Sequence, residues 1–599
     1  MLDQKKTDKN ALIGMLILGF LLLLMNLNTP SEEESKEVET PSTEQVNTPE
    51  KSRTAPVANL GDSTQLVLNQ DKFGAFAQAA LVQGISDAYS TLENDLIKVK
   101  IAHKGARVVD VVLKDYKKFD QSELSLIHED SSKFDLSFYA NNRQINTSDF
   151  NFVAKENGNS VSLFLNVNEN SFIEYRYVLN SESYELKFSI HTVGMSDYLQ
   201  AGSDMTLHWA LDVPRQEKNE ENERNLTTVY YKENGEVDNL SKVGDDSELI
   251  DKVEWVAFKD QFFSTILEPK SDFSKVEMAT VSLGSSKNYV EKLSTKTSFE
   301  ANGNASYDFS FYYVPNNFKS LRKFKNDFEY LIPLGWGIFG WINRFFVIEL
   351  FHFLDGMDLN YGLIIFIVAL VIKMLLYPFT KKSYKSMAAM RVLKPQLDEI
   401  KEKYPDDSAK QQQETMSLYS SAGVSPLSGC LPMLAQMPIL FALFNFFPAS
   451  IELRQQGFLW ATDLSSYDSI FDLPFSIPMY GQHISLFALL MAMSSYLQIL
   501  YNNQSSATTN QQMPQMKYMM YFMPVIFLGV MNSYAAALSY YYFIANMMTF
   551  AQQQWIRRSV KDEDLLAKIQ ARQSDPNKKN RLQRRLEDMT KMQEQTKKK

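Results

Sequence analysis

A lone ammonium group among apolar side chains is where this chain has the makings of chemistry. Lys373 is the only charge in the apolar run 361–379. A charge near the centre of a bilayer costs roughly 2.5–3.5 kcal/mol on insertion scales and is tolerated where it faces water or a partner inside a bundle. No acidic residue in any later apolar segment offers itself as that partner. The arrangement predicts a water-filled hollow inside a membrane protein, with Lys373 on its wall. Other chemistries lack their residues. His103, His128, His191 and His208 are scattered with no motif around them, and no phosphate loop, zinc spacing or nucleophile elbow occurs. The reading is of a non-enzyme without cofactor or metal.

The elements that must position Lys373 fall in two unlike halves. The mean hydropathy of −0.26 averages a polar, acidic stretch, 28–330, with a stretch dense in Leu, Ile, Met, Phe and Tyr, 335–555. The one cysteine, Cys430, rules out a disulfide within the chain, so the polar half must fold on its own core, for which it is long enough. Residues 556–599 carry 14 Lys or Arg against 7 Asp or Glu, close to +7 within a total of −10. A basic tail beside the last apolar segment points to the cytoplasmic side and to an anionic contact, lipid or ribosomal RNA.

Along the chain, residues 1–28 read as an uncleaved membrane anchor. Lysines 5, 6 and 9 precede the uncharged run 11–27, which would be about 25 Å long as a helix, and no small-x-small cleavage site follows. Residues 29–60 read as a disordered acidic linker. In 61–330, alternation predicts a large antiparallel β-sandwich: Val161, Leu163, Leu165 and Val167; Leu186, Phe188 and Ile190; Phe309, Phe311 and Tyr313. Residues 318–330 look helical. Aromatic crowding with scattered charge predicts an interfacial amphipathic helix over 331–355. The second span falls in 356–380, with apolar run 361–379. Spans three to six fall in 426–555, with apolar runs 430–447, 483–501, 518–531 and 535–550. Six spans would put both termini and the lysines at 381, 382, 385 and 394 on the cytoplasmic side and the sandwich outside, as the positive-inside bias requires. Between spans two and three, residues 381–425 predict a cytoplasmic helical hairpin. Its apolar stripe is Met390, Leu393, Leu397, Ile400 and Tyr404; Ser408 with Gln411 is read as a capping box, and Gly423 and Pro426 as the stop.

The helical half resembles the YidC-type membrane protein insertases (the YidC/Oxa/Alb family), in the Gram-negative form with a large periplasmic domain. The resemblance rests on Tyr377-Pro378-Phe379-Thr380, Ser386-Met387-Ala388 and Arg391 through Pro395. It extends through Pro426-Leu427-Ser428-Gly429-Cys430-Leu431-Pro432, Gln436-Met437-Pro438-Ile439 and Asn445. Further on come Phe522 through Phe527, Tyr541-Tyr542, Asn546 and Gln552-Gln553-Gln554. These motifs recur in order over about 330–558, and Trp255-Val256-Ala257 before Gln261-Phe262-Phe263 is similar to the external sandwich of the same family. The family often has arginine where this chain has Lys373; the cation survives, the planar fork does not.

The resemblance implies a polytopic α-helical protein of the bacterial inner membrane, with six transmembrane helices, a five-helix insertase core and a periplasmic sandwich. It implies a cytoplasm-open polar groove that receives nascent membrane proteins, acting as insertase and chaperone alone or with the Sec translocon. Lys373 would attract acidic residues of the arriving segment, while Gln436 and Tyr542 would offer hydrogen bonds. Ribosome, Sec translocon and membrane lipids are the partners expected beside the substrate. A secondary transporter is the first alternative; it needs paired intramembrane charges and two similar halves. The second is a membrane-anchored carbohydrate-binding or carbohydrate-processing protein, which leaves five spans without purpose.

Overall fold

The computed structural model describes residues 62–81 and 88–573, apart from 201, 285, 406, 425–430, 479, 506–513 and 561. The chain divides into two units, Met1–Leu60 and Gly61–Lys599. The first unit, with the expected anchor and linker, lies outside the described residues, as do Cys430, Pro426 and the tail from 574.

Alternation becomes sheet because every second side chain of a strand faces the same way. Ser160–Asn168, Ser171–Leu179, Glu185–Val193 and Ala305–Pro315 neighbour one another in a nine-stranded antiparallel sheet. Asp204–Pro214 and Tyr289–Glu300 pair within a six-stranded one. A further four-stranded sheet begins at Tyr89. The two large sheets meet through aromatic rings: Phe134 lies edge-on to Phe188 at 5.5 Å, and Trp209 stacks on Phe258 at 3.7 Å. Register places Phe188 opposite both Tyr177 and Phe309, so the large rings share one buried face.

The stretch expected as one helix over 318–330 is broken. A short helix, Phe318–Arg322, ends early, and a 3-10 turn, Phe328–Leu331, follows. Between them Lys325 and Asp327 take left-handed backbone conformations. Tertiary contacts hold this turn: the Trp255 indole donates to the Asn326 carbonyl, and Lys232 pairs with Asp327 at 3.0 Å.

Among the described residues, nine longer helices follow. α1, Gly337–Asp355, contains a π-turn at Asn343–Val347 and starts later than 331. It exposes Trp336 just before it and Trp341, Phe345 and Phe353 along it, while Val347, Ile348, Phe351 and Leu354 are buried. α2, Tyr361–Val392, opens on Asn360, whose side chain accepts the Gly362 N–H. It does not stop near 380: residues 381–392 hold no breaker, so the first arm of the expected hairpin is the same helix continued. α3, Lys394–Lys403, follows after Leu393, with Pro395 in its first turn, where the missing N–H costs nothing. α4, Ser408–Ala422, is capped by Asp407, which accepts the Lys410 N–H at 2.9 Å. This corrects the capping box expected at Ser408: Ser408 is already helical, and Gln411 reaches back to the Tyr404 carbonyl instead. Gly423, left-handed, ends α4.

α5 is Leu431–Ala449, α6 Leu486–Ser505, α7 Pro514–Asn532 and α8 Ala536–Ser559. The fourth apolar run was expected to start at 483. His483 belongs instead to a β-hairpin, Phe471–Ile477 with Gly481–Ile484, and α6 begins three residues later because Asp468 accepts the Leu486 and Phe487 N–H groups. α9, Asp562–Gln573, is a helix where a solvated tail was expected. Among the described residues, α1 and α2 are long and apolar enough to cross a membrane by length and composition; shorter apolar helices run Leu434–Ala449, Leu486–Tyr501 and Tyr521–Asn532.

Sandwich and helices share an apolar cluster. Trp255, Tyr312 and Val314 from the nine-stranded sheet join Phe318, Phe328, Phe351, Ile365, Phe446 and Tyr541.

Candidate functional site

Lys373 lies twelve residues after Tyr361 on the buried side of α2 and is 5% exposed. Its Nζ donates to Gln436 Oε1 of α5 at 3.0 Å. That amide is the only hydrogen-bond partner of the ammonium among the described residues, and no carboxylate lies within ion-pair distance there. Its backbone carbonyl accepts from Gln552 Nε2 of α8 at 3.3 Å. Two of the three expected groove residues therefore meet. Tyr542, also on α8, is bonded to neither; its ring lies edge-on to Phe527 of α7 at 6.2 Å and to Tyr541 at 5.7 Å.

Buried polar atoms normally find partners. On α8 the hydroxyls of Ser539, Tyr541 and Tyr542 and the Oε1 atoms of Gln552 and Gln553 are buried without one among the described residues. Hydrogen-bonding capacity is thus left over on the helix that also touches the Lys373 backbone. Gln552 and Gln553 were quoted for the resemblance but not chosen as site residues. The available signal was three consecutive glutamines at the end of an apolar run. Gln553 bonds the Tyr384 hydroxyl of α2, and Asn546 donates to Ser494 and Ser495 of α6 at 3.0 and 2.8 Å.

The hairpin residues have different fates. Leu397, with Leu393, is buried against Tyr419 and Ala422 of α4 and Ile569 of α9; Met390 packs on the edge of that cluster from α2. Tyr404 stays half-exposed with Lys403 and Lys410 over its ring. α9 is fixed by Ile569 and by Asp562, which pairs with Arg391 at 2.7 Å.

A second buried polar group, missed by sequence reading, joins the sandwich to the loop after α5. Arg454 Nε meets Glu217 Oε1 at 2.7 Å, both nearly inaccessible, and another guanidinium nitrogen donates to the Lys117 carbonyl at 2.6 Å. Glu223 accepts the Gln216 and Glu217 N–H groups. Burial pushes Glu223 well above the usual carboxylate range, with the Asp260 and Glu217 charges adding to it. Burial also raises Asp260, to about 6. Lys259, fully enclosed, is lowered to about 7 by burial. Gln261 donates to the Pro448 carbonyl at 2.9 Å and Asn219 to the Ser533 carbonyl at 2.7 Å, so the junction is hydrogen-bonded at several points.

Residues 90–348 match the family model described as the YidC periplasmic domain, and residues 352–563 match the 60Kd inner membrane protein. The membrane protein insertase YidC of Parabacteroides distasonis is 39% identical over 625 aligned positions, covering 98% of each chain. This chain belongs to the YidC family. The YidC of Bacteroides fragilis is 36% identical, again over 98% of both chains. A solved active YidC insertase, with its first transmembrane domain resolved, overlaps 79% of this chain and 95% of its own at 19% identity and a TM-score of 0.31. Within the YidC family frame, the sandwich is the periplasmic domain and α2 to α8 fall in the inner-membrane module.

Proposed function

We propose that this chain is a membrane protein insertase and chaperone of the bacterial inner membrane. It receives nascent membrane proteins in a cytoplasm-open polar groove between α2, α5 and α8. The observation that carries the reading is a buried ammonium, Lys373, held by a neutral amide and, among the described residues, by no carboxylate. Such a charge keeps its attraction for an incoming acidic group, whereas a residue built only to stabilise the fold would be neutralised within it. Leftover polar atoms on α8 then offer hydrogen bonds to a polar segment in transit, where each unpaired backbone group in hydrocarbon would cost several kcal/mol. Burial of the substrate's own apolar helix supplies the free energy, and no covalent step is needed.

The topology that fits has six spans, with the first in residues 1–28, a five-helix core, both termini cytoplasmic and the sandwich periplasmic. In that arrangement Met390, Leu397 and Tyr404 stand in the cytoplasm with α9 and the basic tail, where ribosome and anionic lipid are the natural contacts; the Sec translocon would share substrates laterally.

The test is insertion of a substrate with an acidic leader into liposomes holding only this protein. Lys373→Glu is expected to lower insertion at least tenfold, while a leader without acidic residues is less affected. Equal insertion by both proteins would overturn the groove.

A further inference from the structure

The connection between α5 and α6 is more than a tether. Its β-hairpin, Phe471–Ile477 with Gly481–Ile484, has an apolar face that no part of the described protein covers. Phe471, Leu473, Phe475 and Ile477 alternate in sequence with Asp472, Pro474 and Ser476; the pairing with Gly481–Ile484 slips between Asp472 and Ile477, so the apolar group is defined by its exposure rather than by a regular strand face. Phe471 and Phe475 are each 59% exposed, Ile470 is about half exposed and Ile477 is partly so. Side chains of this size grouped on a surface mark a contact with something apolar.

Two observations fix where the hairpin sits and what covers it. First, its turn and second strand are fastened to the end of α7. His483 Nε2 bonds the Asn532 carbonyl at 2.8 Å, and Asn532 Nδ2 donates to the Tyr480 and His483 carbonyls, all at the close of α7. Just upstream, Trp460 lies 4.4 Å from Phe487 in the first turn of α6 while its indole N–H bonds Asp468. An indole with its ring on apolar surface and its N–H on a polar group is the usual occupant of a membrane–water boundary. Second, residues 455–516 contain no Lys or Arg, so the hairpin itself carries no cation for a phosphate or an acidic partner; Lys218 of the sandwich lies over the Tyr467 ring near its stem. A two-stranded ribbon has open edges and cannot enter hydrocarbon, but it can lie flat and dip one face into the acyl boundary, as an amphipathic helix does. Pro474 removes one edge donor that would otherwise need water.

We infer that this hairpin is an interfacial lipid anchor, its Phe471–Phe475 face seated in the acyl boundary of the outer leaflet beside α6 and α7. The inference rests on the helices spanning the bilayer as proposed above.

The test is site-specific fluorescence in liposomes containing the full chain. With Cys430→Ser removing the native thiol, an environment-sensitive fluorophore is attached at Phe475→Cys, at Val525→Cys on the exposed face of α7, or at Val243→Cys on the sandwich. Val525 and Val243 are 57% and 77% exposed. Lipids brominated along the acyl chain are expected to quench positions 475 and 525 several-fold more than 243, independently of the fraction of anionic lipid. Quenching at 525 with none at 475 overturns the anchor and leaves the spanning arrangement intact. No quenching at either overturns the spanning arrangement itself. A probe at 475 that is shielded from both bromine and water means that a second copy covers this face, which also overturns the anchor.

Discussion

Among the described residues, two of the buried cations are treated in opposite ways. Arg454, at the junction of sandwich and helices, is closed in by the Glu217 carboxylate and the Lys117 carbonyl. Lys373, in the helical part, has one neutral amide. Removing a charge from water costs several kcal/mol in either place. At the junction the cost is offset by a partner of opposite sign and directed hydrogen bonds, so the pair holds two regions in register. Around Lys373 it is offset only in part, and the site keeps an attraction that nothing inside the described protein uses. A planar fork suits the first task and a compact ammonium suffices for the second. The comparison separates a charge that serves the fold from one that the fold carries for a ligand.

The largest effect expected is at the junction. Arg454→Met leaves Glu217 buried without its counter-charge and should cost about 3–5 kcal/mol, read as a lowered thermal midpoint in detergent. Replacing both Arg454 and Glu217 by apolar residues should recover most of that loss. Lys373→Met, by contrast, should leave the midpoint unchanged or raise it while insertion of acidic leaders falls; equal destabilisation by Arg454→Met and Lys373→Met would erase the distinction drawn here.

Asn532 comes next. It is fully buried and donates to the Tyr480 and His483 carbonyls while accepting the Ser485 N–H. Asn532→Ala should cost about 1–3 kcal/mol by stranding those groups, and limited proteolysis should cut first within 470–485.

The junction should also respond to pH. Glu223 has a folded-state pKa above its unfolded value, chiefly through burial. The folded junction therefore holds a proton that the unfolded chain releases once pH passes the ordinary glutamate value near ~4.3. Stability from this group is full below that value and is lost as pH rises toward the folded-state one. Lys259, lowered by burial, has the opposite slope, so the informative quantity is the difference between wild type and Glu223→Gln. That variant should gain stability relative to wild type on going from about pH 5 to about pH 8; a constant difference would mean that Glu223 does not hold the extra proton.

The smallest effect belongs to Arg391. Its pair with Asp562 is partly exposed, so Arg391→Ala should cost about 0.2–1 kcal/mol, seen as faster exchange of amide hydrogens in α9.

The features that were legible in the sequence are those carried by short-range periodicity. The alternation around Phe188 and Phe309 foretold strands, and the three residues Asn532-Ser533-Tyr534 between apolar runs foretold the tight turn from α7 to α8. The helix stop at Gly423 was legible because a left-handed residue there favours glycine. The hairpin at Phe471 was not. Its alternation is short, broken by Pro474, and runs directly into the apolar sequence of α6, so it reads as the approach to a helix. The cap expected at Ser408 falls one residue earlier, at Asp407, because either side chain type can accept an N–H and only the backbone conformation decides which residue does. α9 was read by its surroundings, a basic tail, although Ile569 carried an apolar contact that only the fold could reveal.

By itself the sequence determined which segments alternate, which are apolar, and that a single ammonium lies within one of them, because these follow from neighbours a few residues apart. The tertiary structure alone decided what each buried charge meets. Arg454 and Glu217 are separated by 237 positions, and Lys373 and Gln436 by 63. No local pattern encodes such pairs: folding brings the groups together, and the low dielectric around them then makes the presence or absence of a carboxylate the difference between a fastening and a waiting charge.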